Sequence, residues 1–209
     1  MRSTKTTSWR GRGALFVLLP LLAIALASCS RHTSLTVRAD LVPFMTTGQR
    51  QASISYPTGS LDIQLPVSTT PPNPGASIDL TQLGVPASAA SAIDAFALDL
   101  AATVDPTTNV DAGTASIFVA PSNATNAFQS AYLVTQVDTP ALTANQTATV
   151  TAAVRLDAQT NPGALQYIQS GAFRLGVEIQ ANAASAGSAD VELTRMVVAV
   201  SAPPGWALP

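Results

Sequence analysis

Few side chains in this sequence could do chemistry, and their spacing works against it. Histidine occurs once, at His32, and cysteine once, at Cys29. A Ser-His-Asp arrangement needs an imidazole held rigidly between nucleophile and carboxylate. A single histidine three residues from a lone cysteine reads as a connecting residue instead. Zinc and copper sites draw on several His or Cys ligands, and these two residues cannot supply them. No Gly-rich phosphate loop or dinucleotide fingerprint occurs.

Carboxylates remain. Asp105, Asn109 and Asp111, in DPTTNVDAG, alternate oxygen ligands in a way that partly matches a calcium loop. The spacing departs from an EF-hand and the closing bidentate Glu is missing. The same composition suits a plain turn, because Asp, Asn and Gly tolerate turn geometry. Glu178 and Glu192 are the pair open to a two-carboxylate glycosidase mechanism. Both fall at polar positions of alternating segments, where a solvated charge is the simpler reading. The expectation is no enzyme, no cofactor, and no metal beyond that calcium candidate. Asn123-Ala-Thr125 and Asn145-Gln-Thr147 match the glycosylation sequon, here read as chance.

The cysteine acquires a meaning from what precedes it. Arg2, Lys5, Arg10 and Arg12 make a positive start, and Ala14 to Ala27 is uncharged, broken only by Pro20. This order describes a secretory signal peptide. The run falls short of the roughly 20 apolar residues a spanning helix needs. Gly11 separates Arg10 from Arg12, so the twin-arginine signal is absent.

Leu26-Ala27-Ser28-Cys29 resembles the lipobox of bacterial lipoproteins. The resemblance implies a diacylglyceryl thioether on Cys29, cleavage before it, and acylation of the new α-amine. One acyl chain alone holds a protein only reversibly, whereas several give a stable anchor. Residues 1–28 are then a signal peptide, 29–33 a lipidated tether, and 34–209 one domain. Localisation follows as export with lipid anchoring to the cell envelope. With Ser30 after the cysteine, the resemblance implies the outer membrane where the organism has one.

Processing at this point leaves 181 of 209 residues, with six arginines against twelve acids and no lysine, a formal charge of −6. A Ser-Lys dyad is then impossible. Nucleic acid is excluded as a partner, since its binding relies on Lys and Arg neutralising phosphates. With Cys29 acylated no thiol remains for a disulfide, so stability must come from packing and strand pairing.

Period-2 alternation dominates the rest. Leu35, Val37, Ala39 and Leu41 alternate with polar residues, as do Leu61 to Val67, Ala148 to Leu156 and Phe173 to Ile179. Further strands are expected at 51–56, 77–82, 114–120 and 131–138. Thr46–Gly48, Pro57–Gly59, Thr69–Gly75, Asp105–Gly113 and Asn182–Ser188 read as turns or loops. Alternation with one polar face suits antiparallel strands covering a core. The expected fold is all-β, an antiparallel β-sandwich of immunoglobulin-like or jelly-roll type with about 8–10 strands.

One short helix is expected near 162–170, with Asn161 as N-cap, Pro162 at the first helical position and Gly171 as the left-handed exit. Residues 87–104 fit either period. A helix could begin at 87–91, and 92–104 is read as a strand because 114–120 follows as its partner. In VELTRMVVAV, an unbroken register would carry Arg195 inside. A β-bulge at Thr194-Arg195 would turn it outward; the alternative is a buried pair with Asp94 or Asp99.

The functional expectation is a membrane-anchored envelope lipoprotein with a non-catalytic domain for structural or partner-binding work. Its partners are the membrane, through Cys29, and a cell-envelope protein or polymer. The alternatives are a carrier of a lipid or other apolar ligand inside the sandwich, or a carboxylate-based hydrolase.

Overall fold

The computed structural model describes residues 35–68 and 71–203. Cys29, His32, the leader and the tether lie outside the described residues. Ten strands pair antiparallel in two five-stranded sheets. They are β1 (Leu35–Asp40), β2 (Gln51–Tyr56), β3 (Leu61–Leu65), β4 (Ala76–Asp79), β5 (Ala95–Pro106), β6 (Gly113–Pro121), β7 (Leu133–Thr139), β8 (Ala148–Asp157), β9 (Ala172–Ala181) and β10 (Gly187–Ala202).

The first sheet runs β1-β10-β5-β8, with β2 also on β10; the second runs β3-β9-β6-β7, with β4 also on β9. β1 and β2 take the two halves of β10, and β3 and β4 the two halves of β9. Counted as two interrupted edge strands, these four reduce the molecule to eight strands. Their two sheet orders are those of a jelly roll. That decides between the two sandwich types.

The core lies between the alternating inward faces. Ile63, Ile117, Phe173, Leu175 and Val177 are fully buried on the second sheet, opposite Leu98, Leu100, Val104 and Leu156 on the first. Phe96 of β5 meets Phe173 of β9 edge to face, with ring centroids 5.7 Å apart. Thr149, Thr151 and Arg155 of β8 stay exposed between buried Val150, Ala152 and Leu156.

The region around 87–104 divides. Ala87–Ala90 forms one helical turn, α2, and the strand begins at Ala95. The strand expected there exists, but β6 is not its partner. β5 pairs with β10 and β8, while β6 lies in the opposite sheet. The chain changes sheets between them, so closeness in sequence did not mean pairing. Asp105 and Pro106, expected in a loop, end β5 instead.

A second single turn, α1 (Thr47–Arg50), lies between β1 and β2 beside the 3-10 turn Val42–Phe44. The helix expected near 162–170, α3, spans Pro162–Gln169 and buries Leu165 and Ile168. Its exit is Gly171 at φ 90°. Asn161 occupies the N-cap position without a side-chain capping bond. Asp157 shapes the turn before the helix, its Oδ1 accepting from the backbone N–H groups of Gln159 and Thr160.

The bulge near Arg195 is present. Register shifts between Leu193, opposite Ala102, and Arg195, opposite Ala101, leaving Thr194 extra. Its hydroxyl donates to the Ala101 carbonyl at 3.1 Å. Met196, Val198 and Val200 then face the core, each 4% exposed or less. Arg195 points outward and still pairs with Asp99, with side chains 46% and 42% exposed. The acid foreseen as an interior partner serves outside, where such a pair contributes little.

Candidate functional site

Strand register fixes which end of the sandwich carries Leu35, the first described residue. Leu35 pairs with Ala202, Ser201 with Ala95, and Ala95 with Asp157. Those residues mark the end that carries α3. The opposite end is the one farthest from Leu35 along the strands.

Four connections meet at that opposite end: 57–60, 107–112, 140–147 and 182–186. They are bonded to one another. The Val110 amide donates to the Leu142 carbonyl at 2.9 Å and the reverse bond measures 2.8 Å. The Asp111 amide donates to Asn182 O at 2.8 Å, and that of Gly59 to Ala183 O at 2.9 Å. Val110, Leu142 and Ala183 are buried beneath them. Loops with paired backbone and a small apolar floor hold one shape.

This arrangement accounts for the calcium-like spacing. Asn109 Oδ1 accepts the Ala144 amide at 2.8 Å, and Asp111 Oδ2 accepts from Asn182 Nδ2 at 2.8 Å. Asp105 sits on β5, where its Oδ2 accepts from the Thr147 hydroxyl at 3.4 Å. The three side chains fasten three different contacts. Among the described residues, no group of three or more His, Cys, Asp or Glu is placed to hold a metal ion.

Asp105 instead faces Asp190 across the β5–β10 pair. Ser53 Oγ donates to Asp190 at 2.6 Å, and Gln51 Nε2 to Glu192 at 2.8 Å. These groups border an open hollow of about 550 Å³ on the outer surface of the first sheet. A smaller cleft of about 120 Å³ opens between the interrupted edges, beside Leu41, Phe44, Ile78 and Leu83. Phe44 there is 77% exposed.

Glu178 and Glu192 are not brought together. Glu178 lies between inward Val177 and Ile179 on β9, and Glu192 between inward Val191 and Leu193 on β10. They therefore point from opposite outer faces of the sandwich, where no single glycosidic bond could lie between them.

Glu178 belongs to a row crossing the second sheet: Gln64, Glu178, Ser116 and Gln136 stand opposite one another in register. Gln64 Nε2 donates to Glu178 at 2.9 Å, and Gln136 Nε2 to Ser116 Oγ at 3.0 Å. Partial burial raises the Glu178 carboxyl above its ordinary range, against the Gln64 bond, and the neighbouring Asp62 charge adds to the rise. Partial loss of hydration raises Asp62 as well.

A raised native value means the folded state holds the proton more tightly. The stabilisation is complete below the unfolded value of 4.5 and is lost as pH rises through the folded one. Glu178→Gln should therefore raise the unfolding midpoint at pH 7, with the gain vanishing below about pH 4. Urea titrations at both pH values check this; a loss at pH 7 would contradict it.

Sequence reasoning missed how the proximal half of this outer face is covered. Phe128, in the β6–β7 connection, packs on Phe118 with centroids 5.4 Å apart. Its ring would lie 2.8 Å from a Cβ placed on Gly176. Phe118 and Ala120 are buried on the side opposite Ile117 and Val119. The unalternating run Ile117-Phe118-Val119-Ala120 was the available signal, since a strand covered on both faces loses its period.

No family model matches this chain, and no curated protein matches it. Solved structures do, at low similarity. A chain of the infectious bursal disease virus Gx strain is 14% identical, with 83% of this chain and 33% of that one covered and a TM-score of 0.42. The VP2 subviral particle of the same virus gives 12% identity, coverage of 82% and 34%, and a TM-score of 0.41. Tobacco streak virus coat protein gives 11% identity, coverage of 79% and 93%, and a TM-score of 0.24. This chain spans about a third of the length of the infectious bursal disease virus chains it matches. The jelly roll stands on this chain's own strand pairing.

Proposed function

We propose that this chain is an exported lipoprotein, held to the cell envelope by acyl chains on Cys29, whose jelly roll presents a preformed loop surface to an envelope protein or polymer. The carrying observation is the set of four mutually bonded loops at the end opposite Leu35. A binding surface loses less ordering entropy when its loops are already fixed. Thr143, Asn145, Asn182 and Ser185 give that surface a hydrogen-bonding character, with Asp111 the one acid in the four loops.

A carrier role has less support. Ligand pockets of the drug-sized class run to about 300–1,000 Å³ and are mostly enclosed. Between the sheets, Phe96, Phe173, Leu98, Leu100, Ile117 and Leu175 are fully buried against one another. The apolar cleft beside Leu41 holds about 120 Å³.

A photoreactive residue at Thr143 or Ser185, compared in whole cells with one at Gln166 on α3, tests the orientation. Adducts to an envelope component from the loop positions are expected. Adducts from Gln166 alone would contradict the proposal.

A further inference from the structure

A sandwich has four sheet edges, and three of these are blunted. The β1/β2 edge breaks at residues 41–50 into a 3-10 turn and α1. The β3/β4 edge breaks at 66–75, where Pro66, Pro71, Pro72 and Pro74 stand. β7 is irregular, its register shifting between Ile117 and Phe118. β8 differs from all three. It pairs with β5 in unbroken register from Ala148 to Asp157. Among the described residues, no backbone bond joins 148–156 to any element besides β5.

An uninterrupted edge of this kind is a template for another strand, and proteins that stay single interrupt or charge it. We propose that β8 is the pairing edge for a second copy of this chain, the two strands meeting antiparallel about a two-fold axis near Ala152 and Ala153.

Charge leaves this edge open to a second copy. The part of the chain from Cys29 onward carries −6, so most of its surface repels a copy of itself. β3, β4 and β7 each carry one uncompensated aspartate, whereas β8 balances Asp157 with Arg155 and is neutral, as is the interrupted β1 with Arg38 and Asp40.

Register agrees. Side chains alternate between faces, so antiparallel partners must share parity to keep apolar residues on one side. An axis at Ala152 sets Val150 against Val154 and Thr149 against Arg155. An axis at Ala153 sets Val150 against Leu156 and Thr151 against Arg155. Either one extends the apolar row over half-covered Val154, and neither opposes like charges. Such a contact is isologous and closes at two copies.

Sedimentation equilibrium of the full chain in mild detergent tests this. The wild type should be dimeric at micromolar concentration. Ala153 is exposed, so Ala153→Lys should leave thermal unfolding unchanged while weakening self-association by about tenfold or more, through like charges meeting across the axis. Mixing the Ala153→Lys and Ala153→Glu chains should restore a dimer; should either variant fold poorly, Thr151→Lys repeats the test beside it. A monomeric wild type overturns the proposal. So does a dimer that Ala153→Lys leaves at full strength, or a photoreactive residue at 153 that captures only a protein of another mass in cells.

Discussion

Replacing Phe173 by alanine is expected to lower the unfolding free energy by about 3–5 kcal/mol. Phe173 is fully buried and spans the interior to Phe96, at an interplanar angle of 90°. The loss combines the transfer of a large ring with a cavity between two sheets that cannot collapse without unpairing β9. An edge-to-face pair adds about 0.5–1.5 kcal/mol beyond its area. Against a typical total of about 5–15 kcal/mol, this is a large share of the stability. Thr151→Ala, on the outward face of β8, should change stability by no more than about 0.5 kcal/mol. Urea midpoints measure both, and similar losses would mean the inward and outward faces are misassigned.

Gly113→Ala should be nearly as damaging for a different reason. A Cβ built there would lie 2.1 Å from the Gln180 carbonyl oxygen and 2.7 Å from the Ala181 Cβ. Both obstacles belong to the neighbouring strand, so relief requires moving β6 away from β9. Overpacking of this kind costs about 1–3 kcal/mol, and with backbone as the obstacle the upper end is expected. Gly163 is the matched contrast. It lies inside α3, and a methyl group added there would meet nothing within 4 Å. Gly163→Ala should stabilise by about 0.5–1 kcal/mol, because alanine gives up less backbone entropy in a helix. One substitution with opposite signs at two glycines separates close approach from conformational freedom.

The parts of the fold legible in the sequence were those where one residue type decides the matter. Alternation placed the covered and open faces of β3, β8 and β9, because burial on one side imposes a period of two. Arg195 foretold the bulge, since the alternative put a guanidinium among Leu193 and Met196. Pro162 and Gly171 bracketed α3.

Long-range choices were less legible. Nothing local states that β5 belongs with β10, about a hundred residues later in the chain, and not with β6 next to it. Asp105, Asn109 and Asp111 have the same spacing whether they bind an ion or fasten loops. Their bonds to Ala144, Thr147 and Asn182 depend on segments far away in the chain. The loop surface was equally hidden, because its components are four separate turns that meet only when both sheets close.

The anchor at Cys29 is the central claim, and intact-peptide mass spectrometry of membrane-extracted protein tests it most directly. Cleavage after Arg31 releases the N-terminal peptide Cys29-Ser30-Arg31 of the processed chain. This peptide is expected to begin at Cys29 and to carry a diacylglyceryl thioether and an acylated α-amine, with no peptide from residues 13–28 in the mature protein. Cys29→Ser should abolish the modified peptide and leave an unprocessed precursor or a soluble form. An unmodified Cys29 in the membrane-extracted wild type would contradict the lipid anchor.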